Sequence, residues 1–219
     1  MPKLTIQILK REAQKFSQME SSHKEKSLFG VTDGKAVGTY LEHKFKQYLR
    51  GKYEFEEGSS ASGIDFPGLN VDMKVTSITQ PQSSCPFKSA RQKIYGLGYS
   101  LLVFVYQKAD QPKFKTATLD ILHTIFVELD RTADFVTTKG LLNILQNDGN
   151  QEDLVAFMFD RNLPIDEIEA GKIANEILLN PPKLGFLTIS NALQWRLQYS
   201  RAIEKAGQED GVVLVYRAK

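Results

Sequence analysis

An uninterrupted apolar run near the middle of the chain constrains the fold more than any other segment. Every residue from Leu101 to Tyr106 is apolar, and the run is far too short to cross a bilayer. A run of this length is typical of a strand buried on both faces in the middle of a sheet. The sequence therefore predicts a central strand over Tyr99–Gln107.

Helix and strand patterns before this run predict how the sheet is connected. Apolar residues recur at helical spacing over Lys35–Leu49, and they alternate with polar ones over Leu69–Ser77. A basic helix over Phe87–Leu97 would join that strand to the central one, and a helix between two strands favours a parallel crossover. We expect two further strands, over Tyr53–Glu57 and Ile64–Phe66. The predicted fold is α/β, a central mixed sheet flanked by helices in the order helix, three strands, helix, strand.

The two ends of the chain predict mostly helix. The segment Ile8–Leu28 is polar with sparse apolar positions, so we expect one or two exposed helices there. After Lys108 the patterns indicate a mainly helical part that also contains strands. Helices are expected over Ala133–Gln146, Gln151–Phe159, Ile165–Leu179 and Ser190–Ala206; strands are expected over Thr116–Glu128, with or without a turn, and Gly211–Tyr216.

The charge is unevenly distributed although the chain as a whole is nearly neutral. Its 219 residues carry 28 basic and 26 acidic side chains. Residues up to Lys108 hold 16 basic and 10 acidic side chains, hence +6, and the rest hold 12 and 16, hence −4. A positive half suits a polyanionic substrate. The length allows one core with a substantial elaboration.

Cysteine, histidine and hydropathy patterns exclude several other classes of protein. A single cysteine, Cys85, cannot form an internal disulfide, which fits a reducing compartment. The histidines His23, His43 and His123 lack the spacing of zinc ligands. No segment has the pattern of a signal peptide or a transmembrane helix. We therefore expect a cytoplasmic protein that does not act at a membrane.

The motif that carries chemistry lies on the strand before the central one. An acidic residue two positions before a lysine occurs three times in the chain, once in a predicted turn and once inside the predicted helix. Only Asp72 and Lys74 lie on a predicted strand, where they share one face about 6.6 Å apart. Asp65 precedes a tight Phe-Pro-Gly turn and can supply a second carboxylate to the same edge. The backbone carbonyl of Met73 could provide a further oxygen.

These oxygens predict a site for a divalent cation. Mg²⁺ prefers hard oxygen ligands and needs only one or two carboxylates besides substrate phosphate and water. A bound divalent ion lowers the pKa of water, and a nearby ammonium such as that of Lys74 adds a fixed positive charge beside the phosphate. The sequence thus predicts a metal-dependent phosphodiesterase that uses Mg²⁺.

With these residues in place, the chain resembles the PD-(D/E)XK nuclease superfamily, which includes most type II restriction endonucleases. Asp65 matches the first acidic residue of its motif, Asp72 the second and Lys74 the lysine, and Glu42 stands at the position of the acidic residue on the preceding helix. Ile64 replaces the proline of the family name. The order of elements over roughly residues 35–108 also matches the restriction-endonuclease-like core.

The resemblance implies site-specific hydrolysis of double-stranded DNA, with Asp65 and Asp72 as metal ligands and Lys74 beside the attacking water. It further implies a division of the chain. Residues 1–108 would form N-terminal helices and the catalytic core, and residues 109–219 an elaboration for DNA recognition and dimerisation, packed on the core as one domain. Double-stranded DNA and a second copy of the chain, in a homodimer, are the expected partners.

Residues outside the motif predict contacts to DNA. Polar and basic side chains in the loop after Ser77, on the following basic helix and near the C-terminus suit phosphates or base edges, although such residues are usually only solvated surface. The candidates are Gln82, Ser83, Ser84, Lys88, Arg91, Gln92, Arg196 and Arg201. Two alternatives stay open: a structure-specific repair or recombination nuclease of the same superfamily, and an inactive DNA-binding module.

Overall fold

The computed structural model describes residues 1–58, 63–84, 89–190 and 196–218. Within them no helix is long and apolar enough to cross a membrane. The predicted DNA contact Lys88 and the lone Cys85 lie outside the described residues. The helices are α1 (Ile6–Ser21), α2 (Gly34–Arg50), α3 (Ala90–Tyr95), α4 (Phe135–Gln146), α5 (Gln151–Asp160), α6 (Glu167–Leu179) and α7 (Ser200–Lys205). The strands are β1 (Val71–Ser77), β2 (Gln82–Ser84), β3 (Ser100–Gln111), β4 (Thr116–Val127), β5 (Thr188–Ile189), β6 (Arg196–Gln198) and β7 (Val212–Arg217).

A four-stranded mixed sheet in the order β1-β3-β4-β7 forms the centre of the fold. β1 and β3 pair in parallel, and β3 pairs with β4, and β4 with β7, in antiparallel fashion. The apolar run lies on β3, between two neighbouring strands, and is fully buried from Leu101 to Val105. The predicted α/β class, the mixed sheet with flanking helices and the parallel crossover are confirmed.

The chain divides into two compact units. The first comprises residues 1–83, 100–127 and 205–219, and therefore includes β4 and β7, which follow Lys108 in the sequence. The second comprises residues 84–99 and 128–204. In the second unit, α3 to α6 enclose a separate apolar core in which Ile94, Leu141 and Met158 are fully buried.

In the first unit, α1 and α2 pack on one face of the sheet. The rings of Phe16 on α1 and Phe45 on α2 lie 5.0 Å apart, and both meet Phe104 of β3, at 5.9 and 5.2 Å. All three side chains are completely buried. Aromatic groups packed in this way bring a large apolar area into one core, so they fix α2 against the sheet.

Four predictions about individual elements are wrong. Tyr53–Glu57 is not a strand, because only Glu54 forms a bridge, to Lys3. Ile64–Phe66 likewise contributes a single bridge, from Phe66 to Val71. Residues 196–198, predicted helical, form strand β6. Helix α1 is not exposed: its apolar residues face the core, and the buried polar residues between them, Glu12, Ser17 and Glu20, obscure the helical pattern in the sequence.

Candidate active site

Strand β1 places Asp72 and Lys74 together, as the alternation of side chains predicts. β1 is the edge strand of the sheet, and Asp72 and Lys74 pair in register with Leu101 and Val103 of β3. The Asp72 side chain is 4% exposed and that of Lys74 24%. Lys74 Nζ lies 2.7 Å from Asp72 Oδ2. The Asp72 carboxylate is thus buried, while the Lys74 ammonium reaches the surface.

A short turn brings Asp65 to the same edge. Residues Pro67–Leu69 form one turn of 3-10 helix, and Asn70 closes it in the left-handed region with φ 54°. Phe66 and Val71 then exchange backbone hydrogen bonds of 2.9 and 3.3 Å. The reversal leaves Asp65 beside β1, where its Oδ2 accepts a hydrogen bond of 2.9 Å from the Met73 backbone N–H.

This hydrogen bond also orients the Met73 carbonyl. The Met73 N–H points to Asp65 and therefore away from β3. In an extended strand the N–H and C=O of one residue point to the same side. The carbonyl oxygen of Met73 consequently faces the open edge of the sheet on the side where Asp65 lies.

Helix α2 contributes two further charged groups. Gly38 lies opposite Val75 of β1, and Glu42 and Lys46 follow it at one-turn intervals on the same face of α2. The Lys46 ammonium forms an ion pair with Asp65 Oδ1, with side chains that are only 13% and 17% exposed. Glu42 is partly buried, and the charges of Asp65, Lys74 and Asp72 affect its pKa.

Sequence reasoning missed Lys46. The signal that could have found it is its spacing of four residues from Glu42, because side chains four apart lie on the same side of a helix. A helix face that presents a carboxylate to the motif also presents the residue one turn further along.

Burial and neighbouring charges shift the pKa values of the carboxyl groups in this cluster. Burial raises the pKa of Glu42 to about 7, and repulsion from Asp65 adds to this. Burial raises the pKa of Asp72 to about 6 against the opposing charge of Lys74, and a hydrogen bond shared with Asp65 acts in the same direction. For Asp65 burial is outweighed by hydrogen bonds from Asp72, Lys46 and the Met73 N–H, so its pKa is lowered. Such carboxyl pairs are poised to exchange a proton for a cation.

The donor set fits a divalent cation with few protein ligands. Among the described residues, Asp72 Oδ2 is a buried oxygen that accepts no hydrogen bond of normal geometry, although Lys74 lies close to it. The same residues contain no group of three His, Cys, Asp or Glu side chains arranged as metal ligands. One or two carboxylates suffice for Mg²⁺ when substrate phosphate and water complete its shell, so two aspartates and a carbonyl oxygen would be enough.

The predicted DNA contacts are distributed over several elements. Gln82, Ser83 and Ser84 form β2, with only Ser84 fully exposed. In the second unit, the Arg91 guanidinium on α3 pairs with Glu176, and neighbouring Gln92 is half-buried. Arg196 lies on β6, and the Arg201 guanidinium packs 3.5 Å from the centre of the Phe135 ring. Arg91 and Arg201 thus already have partners within the protein.

The fold and the site together define the class. A mixed sheet whose edge strand carries an Asp-x-Lys pair, with a second aspartate from the preceding turn and a glutamate from the preceding helix, is the arrangement of PD-(D/E)XK nucleases. The chain itself matches the family described as "Type II restriction enzyme NspV" over residues 3–214. It belongs to that family.

A curated relative gives the same result. The type II restriction enzyme NspV of Nostoc sp. (strain ATCC 29411 / PCC 7524) is 70% identical over 214 residues, which cover 98% of this chain and 97% of the relative. No solved structure matches the chain. Membership in a family of type II restriction enzymes confirms the predicted site-specific DNA endonuclease and the resemblance on which that prediction rested.

Proposed function

We propose that this restriction endonuclease cleaves double-stranded DNA with Mg²⁺ held by Asp65, Asp72 and the Met73 carbonyl oxygen. The observation that carries the proposal is the convergence of a buried and a largely buried aspartate and an outward-facing carbonyl at the edge of β1, next to the Lys74 ammonium. Bound Mg²⁺ would supply an acidified water and positive charge for the developing phosphorane.

The protein side chains have distinct tasks in this reaction. Asp65 is fixed by the Met73 N–H and by Lys46, so its position is set before any ligand enters. Lys74 is the most exposed charge of the motif, and we assign to it the placement of the attacking water and contact with the scissile phosphate. Glu42 stays close to both aspartates and can hold a proton or a water molecule at the inner side of the site.

Target recognition and dimerisation would use residues beyond Lys108, and the candidate DNA contacts lie on both sides of it: Gln82, Ser83, Ser84, Lys88, Arg91, Gln92, Arg196 and Arg201. A homodimer suits a symmetric target, since two-fold sites in DNA mirror two-fold proteins. The part of residues 109–219 that lies in the second unit is available for recognition because it contributes no strand to the catalytic sheet. We propose a cytoplasmic location, where the DNA to be cut is found.

The decisive experiment is digestion of intact plasmid and phage DNA with Mg²⁺ and with EDTA. The proposal requires discrete fragments with Mg²⁺, no cleavage with EDTA, and a loss of at least about 10³-fold in rate for Asp72→Asn. A matched control is Asp33→Asn, because Asp33 also precedes a lysine by two residues but caps the N-terminus of α2. Cleavage by Asp72→Asn at the wild-type rate would refute the assignment.

The same digestion separates the alternative nuclease. A structure-specific repair or recombination nuclease would leave intact linear duplex uncut and would cut branched or mismatched DNA instead. Fragments of fixed length from intact phage DNA therefore favour a restriction enzyme. An inactive DNA-binding module would cut none of these substrates.

A further inference from the structure

A second positively charged feature lies at the end of the β3–β4 hairpin, far from the carboxylates of Asp65 and Asp72. The four residues between these strands, Pro112 to Lys115, are all exposed. The turn is well ordered by its own backbone: Phe114 N–H donates to the Gln111 carbonyl at 3.1 Å, and Lys115 adopts a left-handed conformation with φ 49°. The hairpin thus presents Lys113, Phe114 and Lys115 at a defined point.

The loop after α1 joins this hairpin from the side. Glu25 and Ala117 exchange two backbone hydrogen bonds of 2.8 Å each, and Gly30 N–H donates to Asp110 at 3.2 Å. The connection places the Lys24 ammonium 5.2 Å from the centre of the Phe114 ring, while that of Lys113 lies 5.5 Å from it. We call Lys24, Lys26, Lys113, Phe114 and Lys115 the basic tip.

The lysines of the basic tip are not neutralised by ion pairs among the described residues. None of its four lysines forms an ion pair with a carboxylate in the described part of the chain. Two carboxylates on the same segments, those of Glu25 and Asp110, interact with other groups. Glu25 accepts hydrogen bonds from Ser27 N–H at 2.9 Å and from Tyr40 at 3.2 Å, and Asp110 pairs with Lys108.

The exposed phenyl ring is equally unusual for a solvated surface. Phe114 is 57% exposed, yet it sits among lysines and not in an apolar patch. An apolar side chain flanked by cations matches the cross-section of a DNA groove, where sugar and base edges lie between two rows of phosphates. A hydrophobic protein partner would not favour the surrounding ammonium groups.

The register of β3 with β1 gives an approximate distance between Lys74 and the basic tip. Lys74 pairs in register with Val103 of β3, and Gln111 lies eight residues further along the same strand. Eight residues of extended chain span about 26 Å. At about 3.4 Å per base pair, this corresponds to roughly eight base pairs of duplex.

We propose that the basic tip binds the sugar-phosphate backbone of duplex DNA about eight base pairs from the bond that is cut. This inference rests on the proposed function, because it requires DNA at the carboxylate site. The lysines contact phosphates irrespective of sequence, and Phe114 enters the groove between them. The tip thereby fixes the direction of the duplex along β3 and lengthens the footprint of the enzyme on flanking DNA.

The test is a salt titration of DNA binding with variants of the tip. Fluorescence anisotropy of a 30-base-pair duplex in EDTA reports binding without cleavage. For Lys113→Ala/Lys115→Ala the slope of log affinity against log salt should fall in magnitude by about 1.8, with about ten-fold weaker binding. Lys113→Arg/Lys115→Arg keeps the charge and should bind like the wild type. Phe114→Ala should weaken binding without changing the slope, because it removes no charge.

Duplex length provides the second arm. With a duplex that ends four base pairs from the cut site, the alanine variant and the wild type should bind alike, since the DNA does not reach the tip. Equal affinity and slope of the two proteins on the long duplex would overturn the proposal. If the wild type cleaves plasmid and the alanine variant binds DNA equally well, only the proposed role of the basic tip is refuted. If the wild type neither binds nor cleaves DNA, the proposed function is refuted as well.

Discussion

Lys46 provides the sharpest test of how the candidate site is built. It is paired with Asp65, and both side chains are largely buried. We expect Lys46→Met to leave the Asp65 carboxylate without its cation while the bond from the Met73 N–H is retained. Loss of one partner of a buried pair costs about 3 to 5 kcal/mol. Because this carboxylate keeps other donors and some contact with water, we expect a loss of about 2 kcal/mol in the free energy of unfolding.

The same variant should respond more strongly to Mg²⁺. In the wild type a cation that binds Asp65 must compete with the Lys46 ammonium, whereas in Lys46→Met it replaces the missing charge. We expect the Mg²⁺ dissociation constant to fall about ten-fold, which corresponds to about 1.4 kcal/mol. Urea unfolding at a series of Mg²⁺ concentrations measures both quantities, since a ligand at free concentration c that binds only the folded state raises the free energy of unfolding by RT ln(1 + c/Kd).

Lys44→Met is the matched control on the same helix. Lys44 Nζ pairs with Glu20 at 2.8 Å, and the Glu20 side chain is 2% exposed, so this variant also removes a cation from a buried carboxylate. It should destabilise the protein by a similar amount and leave the Mg²⁺ dependence at the wild-type level. Equal Mg²⁺ affinities for the wild type and Lys46→Met would refute the competition between Lys46 and the metal.

Three further outcomes follow from the structure. Lys74→Ala should lower the cleavage rate by at least about 10²-fold in single-turnover assays. Like Lys44→Met, it removes a partly exposed cation from a buried carboxylate, so it should also lower the free energy of unfolding by about 2 kcal/mol. Phe104→Ala should cost about 3 to 5 kcal/mol in urea unfolding, because the ring is fully buried between Phe16 and Phe45. Burial opposes ionisation of Glu12, but hydrogen bonds from Tyr48, Lys52 and Lys15 prevail and lower its pKa from 4.5 to about 2. The stabilisation by the ionised carboxylate is complete above pH 4.5 and is lost as the pH falls towards 2. Glu12→Gln should therefore reduce the dependence of the free energy of unfolding on pH in this acidic range.

The elements that the sequence predicted best are those in which burial and periodicity agree. β3 is apolar on both faces because it lies between β1 and β4, and this leaves one interpretation of the run from Leu101 to Tyr106. Helix α2 carries its apolar residues on one face, and it begins at the predicted place because Asp33 caps the first backbone N–H groups at 3.1 and 3.2 Å. In both cases local pattern and tertiary position require the same residues.

The predictions failed where the tertiary structure overrides the local pattern. Tyr53–Glu57 alternates like a strand, but it has one bridge partner in Lys3 and no neighbouring strand to continue the ladder. Helix α1 looks polar because Glu12 and Glu20 are buried in ion pairs with lysines that lie on other turns or elements. Periodicity counts such carboxylates as exposed, since it has no information about a distant cation.

Asp65 shows that the position of a side chain can be predicted from a partly wrong element. It was expected on a strand of a hairpin, yet only Phe66 pairs with β1 and the 3-10 turn of Pro67–Leu69 makes the reversal. The carboxylate still reaches Met73, because a tight turn returns the chain to the same edge whichever backbone form precedes it. The number of residues between Asp65 and Asp72 therefore carried the prediction, and the strand assignment was not required.

The balance of charge in the completed site explains why helix and strand are both needed. If all groups are ionised, Glu42, Asp65 and Asp72 contribute three negative charges, and Lys46 and Lys74 contribute two positive ones. The resulting charge of −1 attracts a divalent cation, and binding of one such ion changes it to +1, which then attracts a phosphate. Without Glu42 and Lys46 from α2, the motif on β1 would keep the same net charge, but Asp65 would lack the cation that holds it in place. In the proposed reaction, β1 would supply the charged groups of the motif, and α2 would hold Asp65 in the geometry that a metal ion needs.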